Sequence, residues 1–366
     1  MKKQRNRLIM AIDYGGSITK VIGGVSNRER RILAMPPDVI ELPKTFLELH
    51  QGEIGTASPE NKVWIAVNGK SYAVGMYART LAIENPRLTQ PKIATALSKT
   101  LAAIWVLKEQ LRLSNTIRLD LCCVLPIGEY QDKDKLKRQL EKAFHEFETP
   151  SGQLKVELSE FNCKPEGAGV YMMHTRKRGV EAQQKILAVV MLGYRNTSVL
   201  VFRQGNLVDK ATSPLGFARL LKNVIAQTSG QTLERLAPSV VQYLEGKDDS
   251  GLLSILLSDE PIEELAQLKN AIAIAQEKHQ IELCGWLNEI IPRLSEEIVL
   301  CGGTADTLQN YLFKLWNSQE IYLHGGVELP EDIKALKMGY RFADIWIMWD
   351  YFIDKLMKNK LALPIA

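Results

Sequence analysis

Two stretches of this chain share one layout, and that repetition limits the folds open to it more than any other feature. Residues 7–13 (RLIMAID) form an apolar run that reaches Gly15 and Gly16 and passes into SITKVIGGV, while residues 186–192 (ILAVVML) reach Gly193 and pass into SVLVF. A strand, a tight glycine turn and a returning strand is the simplest reading of each. The chain has 366 residues, more than the ~250–300 that a single hydrophobic core usually holds. These features predict an α/β protein written twice, in two packed units.

The segments between and after the two copies support that reading. Residues 62–67 (KVWIAV), the turn Asn68-Gly69 and residues 72–76 (YAVGM) predict another hairpin, because Asn-Gly favours the two-residue turn that strand twist requires. After Pro91 the period changes. Ile93, Leu97, Leu101, Ile104, Leu107 and Leu111 recur at helical steps, which predicts an amphipathic helix. Residues 117–125 (IRLDLCCVL) read as a buried strand, 132–148 as a charged helix, 154–163 as a strand, and PEGAGVYMM from Pro165 as a strand-to-helix junction. The polar, patternless segment from Gly179 to Gln184 marks a boundary. The first domain is expected over residues 1–182, with a C-terminal helix at about 338–366 packing back onto it, and the second over residues 183–337. In the second, helices are expected near 215–228, 232–245, 260–279 and 281–296, then a strand at 297–301 and a helix from Ala305. Trp346, Trp349, Tyr351 and Phe352 on the last helix are read as core contacts rather than a membrane-surface face.

Composition excludes several classes. No apolar run approaches the ~18–20 residues of a membrane-spanning helix. The short apolar stretch near the start is interrupted by Asp13 and lacks a signal peptide's long core, so a cytoplasmic protein is expected. The five cysteines form no C-x-x-C pair, Cys122 and Cys123 read as reduced core residues, and the five histidines show no zinc-ligand spacing. A net charge of +4 from 46 basic and 42 acidic residues is too small to indicate strong direct nucleic-acid binding.

The chemistry concentrates in three places. In Asp13-Tyr14-Gly15-Gly16-Ser17-Ile18-Thr19-Lys20, paired glycines let backbone N–H groups converge on an anion. Ser17 and Thr19 can add hydroxyls, Lys20 can neutralise phosphate charge, and Asp13 at a strand end can hold a hydrated Mg²⁺. Met191-Leu192-Gly193-Tyr194-Arg195-Asn196-Thr197-Ser198 repeats the layout, and two facing hairpins can pinch a polyphosphate. Leu300-Cys301-Gly302-Gly303-Thr304 is a strand ending in paired glycines before a helix, where a ring or ribose can lie against backbone and the helix start favours negative charge.

The order of these three pieces resembles the actin-like ATPase superfamily of actins, heat-shock chaperones and sugar kinases, and within it the ParM-type bacterial actins. VNGKSYAVG (67–75), Leu125-Pro126 followed by Tyr130, PEGAG (165–169) and GYRFAD (339–344) match as well. The resemblance covers nearly the whole chain. It implies two actin-like, ribonuclease H-like domains with a nucleotide cleft between them, and ATP with Mg²⁺ as cofactors. Asp13 would position the metal, Gly15, Gly16, Ser17, Thr19 and Lys20 with Gly193, Tyr194, Arg195, Asn196 and Thr197 would bind phosphates, and Gly302, Gly303 and Thr304 would sit beside adenosine. Glu166 is similar to the carboxylate that orients the attacking water, as a general base must reach its proton. Aligning Ala168-Gly169 instead puts Lys164 at that position.

One residue departs from the pattern. The family's second phosphate motif carries an acidic residue two positions before its glycine, and here that residue is Met191. Methionine can hold neither metal nor water, so slow hydrolysis by a weak ATPase is expected. The implied function is a nucleotide-switched, filament-forming protein acting in plasmid DNA segregation or as a cytoskeletal element, with itself and a DNA-binding adaptor protein as partners. The alternative is a small-molecule kinase of the same superfamily, for which no substrate base is evident.

Overall fold

The computed structural model describes residues 6–53, 57–81, 91–246, 248–316 and 318–361. The start of the basic run at Lys2 and the last residues of the expected C-terminal helix therefore lie outside the described residues. The chain forms two compact units, one of Met1–Gly169, Leu329–Met338 and Phe342–Ala366, the other of Val170–Glu328 and Gly339–Arg341.

In the first unit the chain runs through β1 (Arg7–Asp13), β2 (Thr19–Gly24), β3 (Arg30–Met35), β4 (Val39–Glu41) and α1 (Lys44–Glu53). It continues through β5 (Trp64–Val67), β6 (Lys70–Val74), α2 (Met76–Leu81), α3 (Lys92–Leu111) and β7 (Thr116–Leu125). Next come α4 (Lys133–Phe144), β8 (Phe147–Thr149), β9 (Gly152–Pro165) and α5 (Ala168–Arg178). The second unit takes most of α5, then α6 (Val180–Gln184), β10 (Ile186–Leu192), β11 (Thr197–Arg203), β12 (Asn206–Ser213) and α7 (Phe217–Ile225). It proceeds with α8 (Leu233–Leu244), α9 (Ser250–Leu253), α10 (Pro261–Ile290), β13 (Glu297–Cys301), α11 (Ala305–Leu312) and β14 (Glu320–Leu323). The chain then returns to the first unit with α12 (Glu331–Lys334) and α13 (Ala343–Leu361).

The expected duplication is visible in the strand order. The nine-stranded sheet begins β3-β2-β1-β7-β9, with two antiparallel pairings followed by two parallel ones. The five-stranded sheet reads β12-β11-β10-β13-β14 with the same succession of directions. In the first unit β8, β5, β6 and β4 extend the sheet beyond β9. The Asn68-Gly69 turn between β5 and β6 has both residues at positive φ, 53° and 75°, as its hairpin geometry demands.

Parallel central strands are covered on both faces, and β1 and β10 are correspondingly apolar along almost their whole length. On one face Met10, Ile12 and Val21 share a core with Leu101, Ile104 and Trp105 of α3 and Leu136 and Leu140 of α4. α13 packs on β1, β2 and β7, where Met348, Trp349 and Phe352 are fully buried and the Trp349 indole donates to Asn27 Oδ1 at 3.0 Å. Of the four aromatics expected in the core, Trp349 and Phe352 are there, whereas Trp346 and Tyr351 are half-buried and Arg30 lies over the Trp346 ring. In the second unit Val190, Leu192, Val199 and Val201 pack with Phe217, Leu220 and Leu221 of α7 and Ile272 and Ala275 of α10. The Glu297 carboxylate of β13 is fully buried; His174 Nε2 lies 2.7 Å from it, and Arg178 and Lys185 donate to it at 3.1 and 2.8 Å.

Several boundaries differ from expectation. The helices expected at 260–279 and 281–296 are one helix, α10, because the buried positions Leu268, Ala271, Ile272, Ala275, His279, Leu283 and Leu287 continue at helical spacing through Gln280. The helix expected to Glu148 ends at Phe144, and Phe147–Thr149 pairs with β9 instead. Among the described residues, no helix is long and apolar enough to cross a membrane.

Candidate functional site

In the first unit the β1–β2 hairpin sets Asp13 directly opposite Lys20. Residues opposed across an antiparallel pair share a face, so the Lys20 ammonium meets Asp13 Oδ2 in an ion pair. The connecting turn folds back on itself, and a Cβ on Gly15 would run into the Ile18 carbonyl. Only glycine fits there. Gly16 and Ser17 lie half-buried on the turn. Thr19 belongs to the opposite face of β2 from Lys20, fully buried, with its Oγ1 lacking a hydrogen-bond partner among the described residues. The structure therefore does not place the Thr19 hydroxyl with the Asp13–Lys20 pair.

Two further charges complete this cluster. Glu166 follows β9, its N–H donating to the Leu125 carbonyl at 2.9 Å, and its carboxylate pairs with the Lys92 ammonium. That ammonium also lies 4.0 Å from Asp13 Oδ1. Of residues 164 and 166, Glu166 is the one joined to Asp13 through Lys92. Lys92 opens α3, where the Glu129 carboxylate accepts from the N–H groups of Lys92 and Ile93 at 3.1 and 2.8 Å and serves as the cap that Pro91 cannot supply. One heptad later on the same helix face stands Lys99, only 4% exposed. Burial alone would raise the Asp13 carboxyl, but the charges of Lys20 and Lys92, the Lys20 hydrogen bond and the charge of Lys99 hold it below its ordinary value. Glu166 shifts the other way, because burial outweighs the charge of Lys92 and Asp13 adds repulsion.

The turn that carries Glu166 is anchored from α13. Asp344 accepts from the N–H groups of Gly167 and Gly169 at 2.9 and 2.8 Å, so its carboxylate caps the start of α5. A Cβ on Gly169 would strike the Asp344 carbonyl. PEGAG and GYRFAD are therefore two halves of one contact.

In the second unit, Gly193, Tyr194, Arg195 and Asn196 form the β10–β11 turn, closed by the Gly193 N–H donating to Asn196 O at 3.0 Å. Its carbonyls point at the start of α7, where Phe217 and Ala218 donate to Gly193 and Tyr194 at 3.1 and 2.8 Å. Thr197 is fully buried, and its hydroxyl donates to the Leu215 carbonyl at 2.9 Å. Thr304 likewise donates to the Leu192 carbonyl at 3.0 Å. Both hydroxyls hold loops in place rather than face outward. Gly302, at φ +99°, lies so close to β10 that a Cβ would sit 2.9 Å from the Met191 sulfur. Beside it the Arg341 side chain covers Gly303, with its Cγ 3.0 Å from where a Cβ would stand. Burial lowers the Arg341 guanidinium against the opposing charges of Glu245 and Tyr194.

The sequence reading passed over Lys92, Lys99, Asp344, Gly216 and Arg341. Of these, only Asp344 and Arg341 lie in a stretch singled out for another reason. Gly216 faces the second turn so tightly that a Cβ would come within 2.6 Å of Asn196 N.

Whether a divalent cation suits the first-unit cluster can be tested on its donor set. Asp13 Oδ1 is a buried acceptor without a hydrogen-bond partner among the described residues. Against that, Glu166 is engaged by Lys92, three lysines act on Asp13, and the described residues contain no group of three or more metal-ligating side chains. Asp13 alone is within the one or two carboxylates that Mg²⁺ usually takes alongside substrate phosphates and waters, but the Lys92 ammonium 4.0 Å from its Oδ1 opposes a cation seated there.

Comparisons with known proteins bear on the fold. Residues 11–169 match the family described as actin like proteins N terminal domain. Among solved structures, Bacillus thuringiensis ParM with AMPPNP superposes with a TM-score of 0.59 at 14% identity, covering 97% of this chain and 100% of that one. A 15-stranded ParM filament from Clostridium botulinum gives 0.58 at 15% identity, covering 95% and 99%. AlfA from a B. subtilis plasmid, also a filament structure, gives 0.54 at 13% identity, covering 89% and 93%. No curated protein matches the sequence. Residues 11–169 thus match an actin-like N-terminal domain, and the chain carries the two-domain fold seen in the ParM structures.

Proposed function

We propose that this protein binds a nucleoside triphosphate and assembles into actin-like filaments in response, serving plasmid DNA segregation through a DNA-binding adaptor or acting as a cytoskeletal element. The observation that carries this reading is the Asp13–Lys20–Lys92–Glu166 cluster, buried at Asp13 and half-buried at the other three, beside a glycine turn that only glycine can make. A turn of this kind offers backbone N–H groups to phosphate oxygens, and Lys20, oriented by Asp13, supplies a neutralising charge. A second glycine turn stands at Gly193–Asn196 in the second unit, where Gly302 approaches the end of β10 closely. Filament structures among the relatives support self-association, and a ParM with AMPPNP supports a triphosphate ligand.

Hydrolysis is proposed to be slow, for two reasons. Glu166 can orient a water or accept its proton only after Lys92 releases it. Met191, whose sulfur lies beside Cys301 and Gly302, cannot hold a second water. Losing such a positioned group typically costs ~10²–10⁴ in rate.

The test is sedimentation and negative-stain microscopy of the purified protein with ATP, GTP, ADP and no nucleotide. Filaments are expected with a triphosphate, and Lys20→Ala is expected to reduce triphosphate affinity at least ~10-fold, a loss of about 1.4 kcal/mol, and to abolish assembly. Absence of sedimentation under every nucleotide, together with ADP release stimulated by one of a panel of sugars or acetate, would instead establish a small-molecule kinase.

A further inference from the structure

The charge in the first-unit cluster is unusual for a site meant to receive a nucleotide with its metal. Lys20 pairs with Asp13 and Lys92 with Glu166, while Lys99 and Glu129 add one charge of each sign, so the carboxylates are already balanced by ammonium groups before any ligand arrives. Lys92 is no wandering surface lysine. Its side chain is only 11% exposed, and its backbone is fixed at the start of α3 by the Glu129 carboxylate. Its ammonium stands 4.0 Å from Asp13 Oδ1, the buried acceptor without a hydrogen-bond partner among the described residues. A divalent ion seated on that oxygen would have to sit against the ammonium.

We propose that Lys92 takes the place of the divalent cation: its ammonium exchanges Glu166 for a phosphate oxygen of the incoming triphosphate, so the nucleotide binds without divalent metal. This rests on the nucleotide-binding reading above. A lysine is a compact point charge on a flexible stem, suited to swing between two oxyanions a few ångströms apart.

The experiment is calorimetric titration of the full-length protein with ATP in excess magnesium chloride and, separately, in excess EDTA. Wild-type affinity in EDTA is expected to stay within ~3-fold of that in magnesium, while Lys92→Gln should lose at least ~10-fold in EDTA and recover with magnesium. Lys92→Arg, which keeps the charge, should behave as wild type. Wild-type binding that appears only with magnesium overturns the lysine's role and leaves the nucleotide reading intact, and this arm does not depend on any variant folding. A Lys92→Gln protein as indifferent to EDTA as wild type overturns it too. Absence of binding in both buffers defeats the nucleotide reading and the present inference with it.

Discussion

Glu297, at the start of β13, is a buried carboxylate whose protonation couples to acid stability. Burial alone would raise its carboxyl, but hydrogen bonds from His174, Lys185 and Arg178 hold it below its ordinary value of 4.5. A carboxyl depressed in the folded state stabilises above its unfolded pKa, and that contribution is lost as pH falls through the lower, folded value. The affected window therefore lies below pH 4.5. Glu297→Gln should cost roughly 1–3 kcal/mol at neutral pH by leaving buried partners short of an acceptor, and should flatten the stability profile in that acid window. Denaturant melts of both proteins across the pH range measure this, and parallel acid slopes would show that other carboxylates dominate. At this scale the sequence was partly legible. Asp13, Lys20 and Glu166 stand at the ends of apolar strands beside glycines, where a carboxylate or lysine is conspicuous. Lys92 and Lys99 are not. On the page they are two charges on an amphipathic helix, and only the packing of α3 against the sheet directs them at Asp13.

Among elements, the capping of α5 by α13 carries the clearest consequence. Asp344 holds the two N–H groups that follow Glu166, so it positions the proposed water-orienting carboxylate without touching it. Asp344→Ala should lower stability by about 1 kcal/mol, the usual worth of a helix cap, equivalent to ~2–4 °C in Tm for a cooperative unit of about 150–250 residues. It should also slow phosphate release while leaving ATP affinity near wild type. A variant whose affinity and hydrolysis fall together would mean that Asp344 supports the whole hairpin site instead. Element prediction succeeded where a periodic pattern is long, as in α3, β1 and β10. It failed where pattern is weak or continuous. β12 is exposed over most of its length and carries little alternation. In α10 nothing near Gln280 breaks the helix, and Gly285 faces open space that costs no packing. The contact between PEGAG and GYRFAD joins distant segments, so no local period could announce it.

For the molecule as a whole, the first unit is discontinuous: its sheet comes from the front of the chain and α13 from the back. Fully burying one large apolar side chain contributes ~1.5–3 kcal/mol, and α13 places Met348, Trp349 and Phe352 in the interior. Their loss is comparable to the ~5–15 kcal/mol that holds a typical domain together. A protein truncated after Met338 should therefore lack a cooperative unfolding transition for the first unit and should aggregate, as read by tryptophan fluorescence during denaturation and by size-exclusion chromatography. A soluble monomer with a wild-type melt would mean the sheet face tolerates water.

The same threading sets an order of events during synthesis. The hairpin carrying Asp13 and Lys20 is translated before α13, so one side of its sheet stays bare while the second unit between them is made. The nascent chain must then be shielded from its neighbours until α13 emerges, so a chain cut short before that helix would be a sticky half-product.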